Sequence, residues 1–370
     1  MSKKTKTEKI KKESMHGGAT REFNIIEADI DISVKFGKTE KKDEFSCIMS
    51  GKSIDAGISN AIRRTVMLYI PVYGINRNNC KIENGKLGKK TIYNNDMISG
   101  ILEQLPLFDI DNRFDINNPE NYLPTSVMKN MFSTFVKEKY FDISSTEEPE
   151  MDKKLKGLKN IRVMMNIKND GDSNMYVNTH HLSLEIDGMS SDNYKKRDPV
   201  MLFTTRPGES LSFEATANLG IEAIHASYEA TTLAYHIEID ENTYDLRYTT
   251  LGQLSNMEIF KKACKILIKK LENFHDFIEK EYKTEPDSII KPIEISLYGE
   301  DGTLANIIAN ALKKCNNVER AGFTTPHYLE KTMLLGYTLK SSSKDYPFKT
   351  LKNAIKYLIK IYETILSQAK

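Results

Sequence analysis

The chain has 370 residues, of which 39% are hydrophobic and 28% charged, proportions of a globular protein with room for two or three cored domains. A net charge of +2 supplies no global positive field for bulk nucleic-acid binding, and no run reaches the ~18–20 apolar residues that a membrane span needs. The cysteines Cys47, Cys80, Cys264 and Cys315 stand far apart with no CxxC, which suits a reducing compartment and argues against a disulfide framework or a cysteine-rich zinc site.

Residues 1–20 are lysine-rich, without apolar period or the hydrophobic core of a secretory signal, and read as a disordered solubilising tail. FNIIEADIDISVKF (23–36) alternates as a strand, and FSCIMSG (45–51) reads as another. AGISNAIRRTVMLYIPVYGI (56–75) begins as a helix and is closed by Pro71 and Gly74. From Arg77 to about Asn121 the texture is Asn, Asp, Gly and Lys, interrupted by DMISGILEQLPLFDI (96–110), a short helix halted by Pro106. A charged loop at 144–160 leads to strands IRVMMNI (161–167), HHLSLEI (180–186) and VMLFTTRPGESLSFEATANL (200–219), the last a hairpin turning at Pro207-Gly208. ASYEATTLAYHIEID (226–240) and TYDLRYTTL (243–251) continue the strand texture.

A long helix over 256–282 then lines up Phe260, Ala263, Cys264, Leu267, Leu271, Phe274 and Ile278 on one face. TEPDSIIKP (284–292) reads as a linker, after which the pattern restarts. The strand IEISLYG (293–299) precedes the helix DGTLANIIANALKKC (301–315) and strands around Phe323 and 333–339. A last helix from about Phe348 aligns Leu351, Ala354, Ile355, Leu358, Ile359, Tyr362, Ile365 and Leu366. DAGISNAI (55–62) and DGTLANII (301–308) match at Asp55/Asp301, Ile58/Leu304, Asn60/Asn306 and Ile62/Ile308. With the shared element order, this makes the chain two related units.

At 100° per residue, Ile58, Ala61, Ile62, Thr65, Val66, Leu68 and Tyr69 share an apolar arc. The other face carries Asn60, Arg63, Arg64 and Met67, with Asn60 within reach of both arginines. The second unit keeps the arc but has no arginines at the matching positions. Such a face fits a solvated surface, a nucleic-acid groove or a protein interface. The mixture of Asn, Arg and Met, and the absence of a second helix at a tight turn, favour the protein interface over a DNA reader. Adjacent His180 and His181 point to opposite sides of a strand, against a joint metal site. His225 and His327 read as structural or interface hydrogen-bonding residues, and the lysines at 153–159 and Lys195-Lys196-Arg197 as solvated loops. Phosphate loops, GxSxG and HExxH do not occur.

DAGISNAIRRTVMLYIPVYGI resembles the helix-one motif of RNA polymerase alpha-type subunits: bacterial alpha, archaeal D and the third-largest subunit of eukaryotic polymerase II. NDMISGILEQLPL (95–107) is similar to the helix entering that family's insert domain, and RPGESLSFEATANLGIEAIHASYEATTLAYHIEID (206–240) to the segment returning from it. The helix 256–282 takes the place of the dimerisation helix. EDGTLANIIANALKKCNNVERAGFTTPHYLEK (300–331) resembles the small partner, the archaeal L or eukaryotic eleventh-type subunit. The resemblance covers nearly everything after residue 20. The cysteine cluster that some members carry is missing, so no metal or other cofactor is expected. The two partners, normally separate chains, share one polypeptide here, a trait associated with large cytoplasmic DNA viruses.

The resemblance implies an α+β fold, the alpha/D-L dimerisation fold as an intramolecular pseudo-heterodimer with a mainly β insert. The expected division is a D-like domain (21–76 and 219–283), an insert (77–218), a linker (284–292) and an L-like domain (293–370). Ile58, Ile62, Tyr69, Phe260, Leu267, Leu271, Leu304, Ile308, Leu312, Leu351, Ile355 and Leu358 would join the units. Asn60, Arg63, Arg64, Met67 and His225 would face the largest and second-largest polymerase subunits, with small subunits as further partners. The implied role is a non-catalytic assembly platform, monomeric within a hetero-oligomer and without sequence-specific nucleic-acid contact. Its place would be intracellular: the cytoplasmic viral factory and virion if viral, otherwise the nucleus. The competing expectation is a self-standing DNA-binding regulator using Arg63, Arg64 and the basic tail.

Overall fold

The computed structural model describes residues 29–39, 41–111, 114–132, 135, 158–283, 292–327, 332–340 and 346–369. The basic tail, the strand reading over 23–28, most of the 144–160 loop with the lysines at 153–157, and the linker over 284–291 lie outside the described residues.

Strands β1 (Ser33–Phe36) and β2 (Glu44–Ser50) pair antiparallel, with Val34 opposite Met49. Helix α1 (Ala56–Leu68) starts where Asp55, in extended backbone, accepts the Ile58 N–H on its own carboxylate. Its buried stripe includes Ile58, Ala61, Ile62, Thr65 and Val66 of the arc expected from the periodicity, while Leu68 of that arc is half-buried. The middle of the chain comprises β3 (Val72–Asn84), α2 (Asn95–Glu103), α3 (Thr125–Phe132), β4 (Ile161–Lys168), β5 (Met175–Asn178), β6 (Ser183–Ile186), β7 (Met189–Ser191), β8 (Met201–Thr205) and β9 (Ser210–Gly220). A five-stranded sheet runs β3-β9-β4-β6-β7, and β5 pairs with β8. The β3–β9 ladder spans Val72 opposite Gly220 to Asn84 opposite Leu211, so one strand pair carries the chain out of the first unit into the middle region.

Two sequence expectations are corrected there. The chain does turn at Pro207-Gly208, with Gly208 at φ +83°, but β8 and β9 are not hairpin partners: β8 joins β5 and β9 lies between β3 and β4. Asn169, just past β4, ties the turn down, its carbonyl accepting the Gly208 N–H and its side-chain amide donating to the Thr205 carbonyl. His180 and His181 sit on a 3₁₀ turn capped by Asn178, because the Asn178 side chain accepts the His180 N–H and breaks the strand before β6.

Strands β10 (Thr231–Asp240) and β11 (Thr243–Thr250) form a hairpin that returns to β2, giving the order β1-β2-β11-β10. On the inner face of this sheet Phe45 stacks on Tyr248, and Phe260 of α4 (Asn256–Glu281) packs against Phe45 and Phe36. The second unit repeats the scheme with β12 (Ile293–Tyr298), α5 (Gly302–Lys313), β13 (Val318–Thr324), β14 (Thr332–Leu339) and α6 (Pro347–Gln368), its sheet ordered β12-β14-β13.

The units meet through helices: α1 on α5 and α4 along α6. All twelve apolar residues expected to join them are buried and belong to one hydrophobic cluster. The approach of α1 to α5 is close, since a Cβ on Gly57 would lie 2.9 Å from Asn310 Nδ2. At the far end of α6, Gln368 accepts the Val34 N–H and donates to the Ile32 carbonyl, closing the outer edge of β1 with the last turn of the other unit.

Candidate inter-unit junction and partner face

Each short helix begins at an aspartate that serves two purposes. Asp55 Oδ1 accepts the Ile58 N–H, while its Oδ2 receives Lys314 Nζ, from the end of α5, at 2.6 Å. Asp301 Oδ1 accepts the Thr303 N–H at 2.8 Å, while its Oδ2 receives Arg64 Nη2, from α1, at 2.7 Å. Arg64 Nε also donates to Thr303 Oγ1 at 2.7 Å. The same device thus occurs twice with the units exchanged, as at a two-fold interface between subunits. Burial alone would raise the Asp301 pKa, but hydrogen bonds from Thr303 and Arg64 outweigh it and lower it to about 2. The Tyr69 hydroxyl donates to the same carboxylate at 3.3 Å, and burial, followed by the Asp301 and Glu300 charges, raises the phenol pKa.

Behind this pair lies a second, more enclosed one. Lys270 Nζ donates to both Glu300 oxygens at 3.1 and 3.2 Å, and the two side chains are 3% and 0% exposed. The ammonium also stands 4.0 Å from the centroid of the Tyr69 ring. Sequence reasoning did not find Lys270 or Glu300. The signal was present: Lys270 interrupts the apolar stripe of α4 between Leu267 and Leu271, where a charge stays buried only with a partner.

The structure separates the two adjacent arginines. Arg64 turns into the junction, which corrects the expectation of one continuous arginine face directed at another subunit. Consecutive helix positions differ by about 100°, and the paired cap carboxylate lies on Arg64's side. Arg63 turns the other way, its Nε donating to Asn60 Oδ1 at 2.9 Å and its Nη1 reaching Met67 Sδ at 3.5 Å and the Ala234 carbonyl at 3.4 Å. Burial, then the neighbouring Arg64 charge, lowers the Arg63 pKa.

Ala234 belongs to β10, the edge of its sheet, where among the described residues only β11 pairs with it. On the strand's outer side Leu233, Tyr235, Ile237 and Ile239 are exposed at every second position, Leu233 and Ile239 by 56% each. Long apolar edge strands are normally blunted or covered.

His225 stands apart from α1. Its Nδ1 accepts the Ser227 N–H, and its Nε2 lies 3.5 Å from Glu103 Oε1, whose other oxygen receives Arg77 Nε at 2.6 Å. His180 Nε2 lies 2.9 Å from the Arg197 carbonyl and His181 Nδ1 pairs with Asn178, so the two rings do not converge. His275, Asp276 and Glu279 bring possible ligand atoms within 4.8 Å of one another, but both acids are exposed, and such groups are common without an ion.

A family model described as the RNA polymerase Rpb3/Rpb11 dimerisation domain matches residues 292–368, the whole second unit. Over 349 residues, 94% of this chain and 97% of the other, the sequence is 42% identical to a putative DNA-directed RNA polymerase subunit, R470, of Acanthamoeba polyphaga mimivirus. Identity at that level over both lengths, on a fold whose two units pair through their helices, places the chain: it belongs to the family of DNA-directed RNA polymerase subunits that carry the Rpb3/Rpb11 dimerisation domain.

Proposed function

We propose that the chain is the non-catalytic platform on which the two large catalytic subunits of a multisubunit DNA-directed RNA polymerase assemble, in the viral factory and virion of a large DNA virus. In this reading the D-like domain (21–76 and 219–283) and the L-like domain (293–370) form a pseudo-heterodimer joined by the 284–292 linker, with the insert (77–218) projecting from it. The twelve buried apolar residues hold the units together, joined by Arg64, Tyr69 and Lys270 on one side and Glu300 and Asp301 on the other.

The observation that carries the proposal is the surface left over once this junction is closed. The outer face of β10 offers an apolar row of Leu233, Tyr235, Ile237 and Ile239, and the backbone of the same edge strand, at the Ala234 carbonyl, meets Arg63 of the helix face that also carries Asn60 and Met67. That surface takes one large subunit; His225, beside Glu103, marks a second contact region. The DNA-binding alternative is weakened because Arg64 is already engaged by Asp301 and cannot join Arg63 on a phosphate backbone.

Affinity purification of the tagged chain tests the proposal. Stoichiometric recovery of two very large polypeptides is expected, with no tight, steeply salt-dependent DNA binding by the chain alone. Recovery without large polypeptides, or DNA binding that collapses with salt, would overturn it.

A further inference from the structure

The inter-unit junction is symmetric in shape but not in charge. Counted from their N-caps Ser255 and Tyr346, α4 and α6 bury matching positions: Phe260 with Leu351, Ala263 with Ala354, Leu267 with Leu358, Leu271 with Tyr362 and Phe274 with Ile365. On this alignment Lys270 corresponds to Ile361, which is fully buried. Glu300, directly before the Asp301 cap, corresponds to Ile54, directly before the Asp55 cap and also fully buried. One side of the pseudo-two-fold therefore has a lysine facing a glutamate, and the equivalent positions on the other side are both isoleucine.

We infer that the Lys270–Glu300 pair is a partner-specificity device, which makes the first unit accept the second unit and reject a second copy of itself. In a pairing of two first units, each buried Lys270 would meet the Ile54 position. In a pairing of two second units, each buried Glu300 would meet the Ile361 position. Either way two charges lose their partners inside the core, whereas the cap charges would stay matched, because Arg64 could meet Asp55 of another copy and would lose only the Thr303 hydroxyl, whose matching position is Gly57. Removing one partner of a buried pair is strongly destabilising, while replacing both with apolar residues is often tolerated. The inference rests on the observed intramolecular pairing, and it holds or fails whether or not the large subunits bind the platform.

The test uses the full chain carrying a protease site between residues 283 and 292, cut after folding, then unfolded in urea, refolded and counted by native mass spectrometry. The unsubstituted protein is expected to return as mixed pairs, favoured over like pairs by at least about a hundredfold. Lys270→Met/Glu300→Leu should refold and lose that preference by at least tenfold. The exchanged variant Lys270→Glu/Glu300→Lys provides a second arm: its fragments should pair with each other and fail to pair with the unsubstituted fragments, where Lys would face Lys or Glu would face Glu. Like pairs from the unsubstituted protein, an undiminished preference in the apolar variant, or free cross-pairing with the exchanged variant would each overturn the inference.

Discussion

Arg64→Ala is the substitution for which the structure changes the expectation most. Its guanidinium makes two bonds of 2.7 Å across the junction, to Asp301 and Thr303. At an effective dielectric of about 20, unit charges about 4 Å apart attract by roughly 4 kcal/mol. The side chains are 34% and 25% exposed, so solvent screening and the cost of ordering a long side chain offset about half of that. The variant should therefore be about 2 kcal/mol less stable than the parent. The chain has no tryptophan, so urea unfolding is best followed by far-ultraviolet circular dichroism. A double-mutant cycle with Asp301→Asn isolates the pair, and a coupling of about 1–2 kcal/mol is expected. A single-variant effect below about 0.5 kcal/mol, or no coupling in the cycle, would mean that Arg64 is an ordinary surface arginine and that the junction does not depend on it.

Acid should act on the same carboxylate: Asp301 has its pKa lowered to about 2, against about 3.9 when unfolded, so its contribution is present above about pH 4 and fades as the pH falls towards 2. The loss is about 2 kcal/mol, and in Arg64→Ala the pH dependence of the urea midpoint in this window should flatten; an unchanged pH profile would argue against the pairing. Leu304→Asp buries an unpaired charge where α5 meets the other helices and should cost several kcal/mol, read as a lowered urea midpoint; full stability would show that this position is not enclosed. Leu233→Ser/Ile237→Ser, on the exposed side of β10, should leave the urea midpoint unchanged but reduce co-purification of a large subunit at least tenfold. Undiminished recovery would assign the apolar row to something else. Arg63→Ala should behave similarly with a smaller loss, since among the described residues the hydrogen bonds of Arg63 go to Asn60, Met67 and the Ala234 carbonyl.

The features legible in the sequence were those that repeat. The apolar arc of α1 and the stripes of α4 and α6 express a period and correspond to buried helix faces, and the Asp55/Asp301 match corresponds to the two helix caps. The features that were not legible depend on pairings between distant residues. β3 has no apolar residue through NRNN and only a short alternation at CKIE, and it forms because β9 supplies the ladder across a bulge between Ile75 and Cys80. The β8–β9 hairpin looked local, but Asn169 holds the turn and other strands take the two arms. For the candidate site, Asn60, Arg63 and Met67 do cluster, as helical spacing requires. The inward turn of Arg64 depends on a carboxylate 237 residues away, which no local spacing encodes.

The division between Arg63 and Arg64 also explains how one short helix can serve two assemblies. Side chains about 100° apart on a rigid helix can face different neighbours without competing. Arg64, Asn310 and the cap carboxylates fix α1 against α5, and the Arg63–Asn60–Met67 group then lies at a defined place beside β10. A partner that reads Arg63 at the edge of β10 is therefore reading a surface whose geometry depends on the closed junction. Placing both units in one chain raises their effective concentration to the order of millimolar, which favours closure. Concentration alone does not choose between like and unlike partners when many copies of the chain fold side by side. That choice needs a chemical difference between the units, and where the long helices meet through matching apolar positions, the enclosed charges of Lys270 and Glu300 supply one.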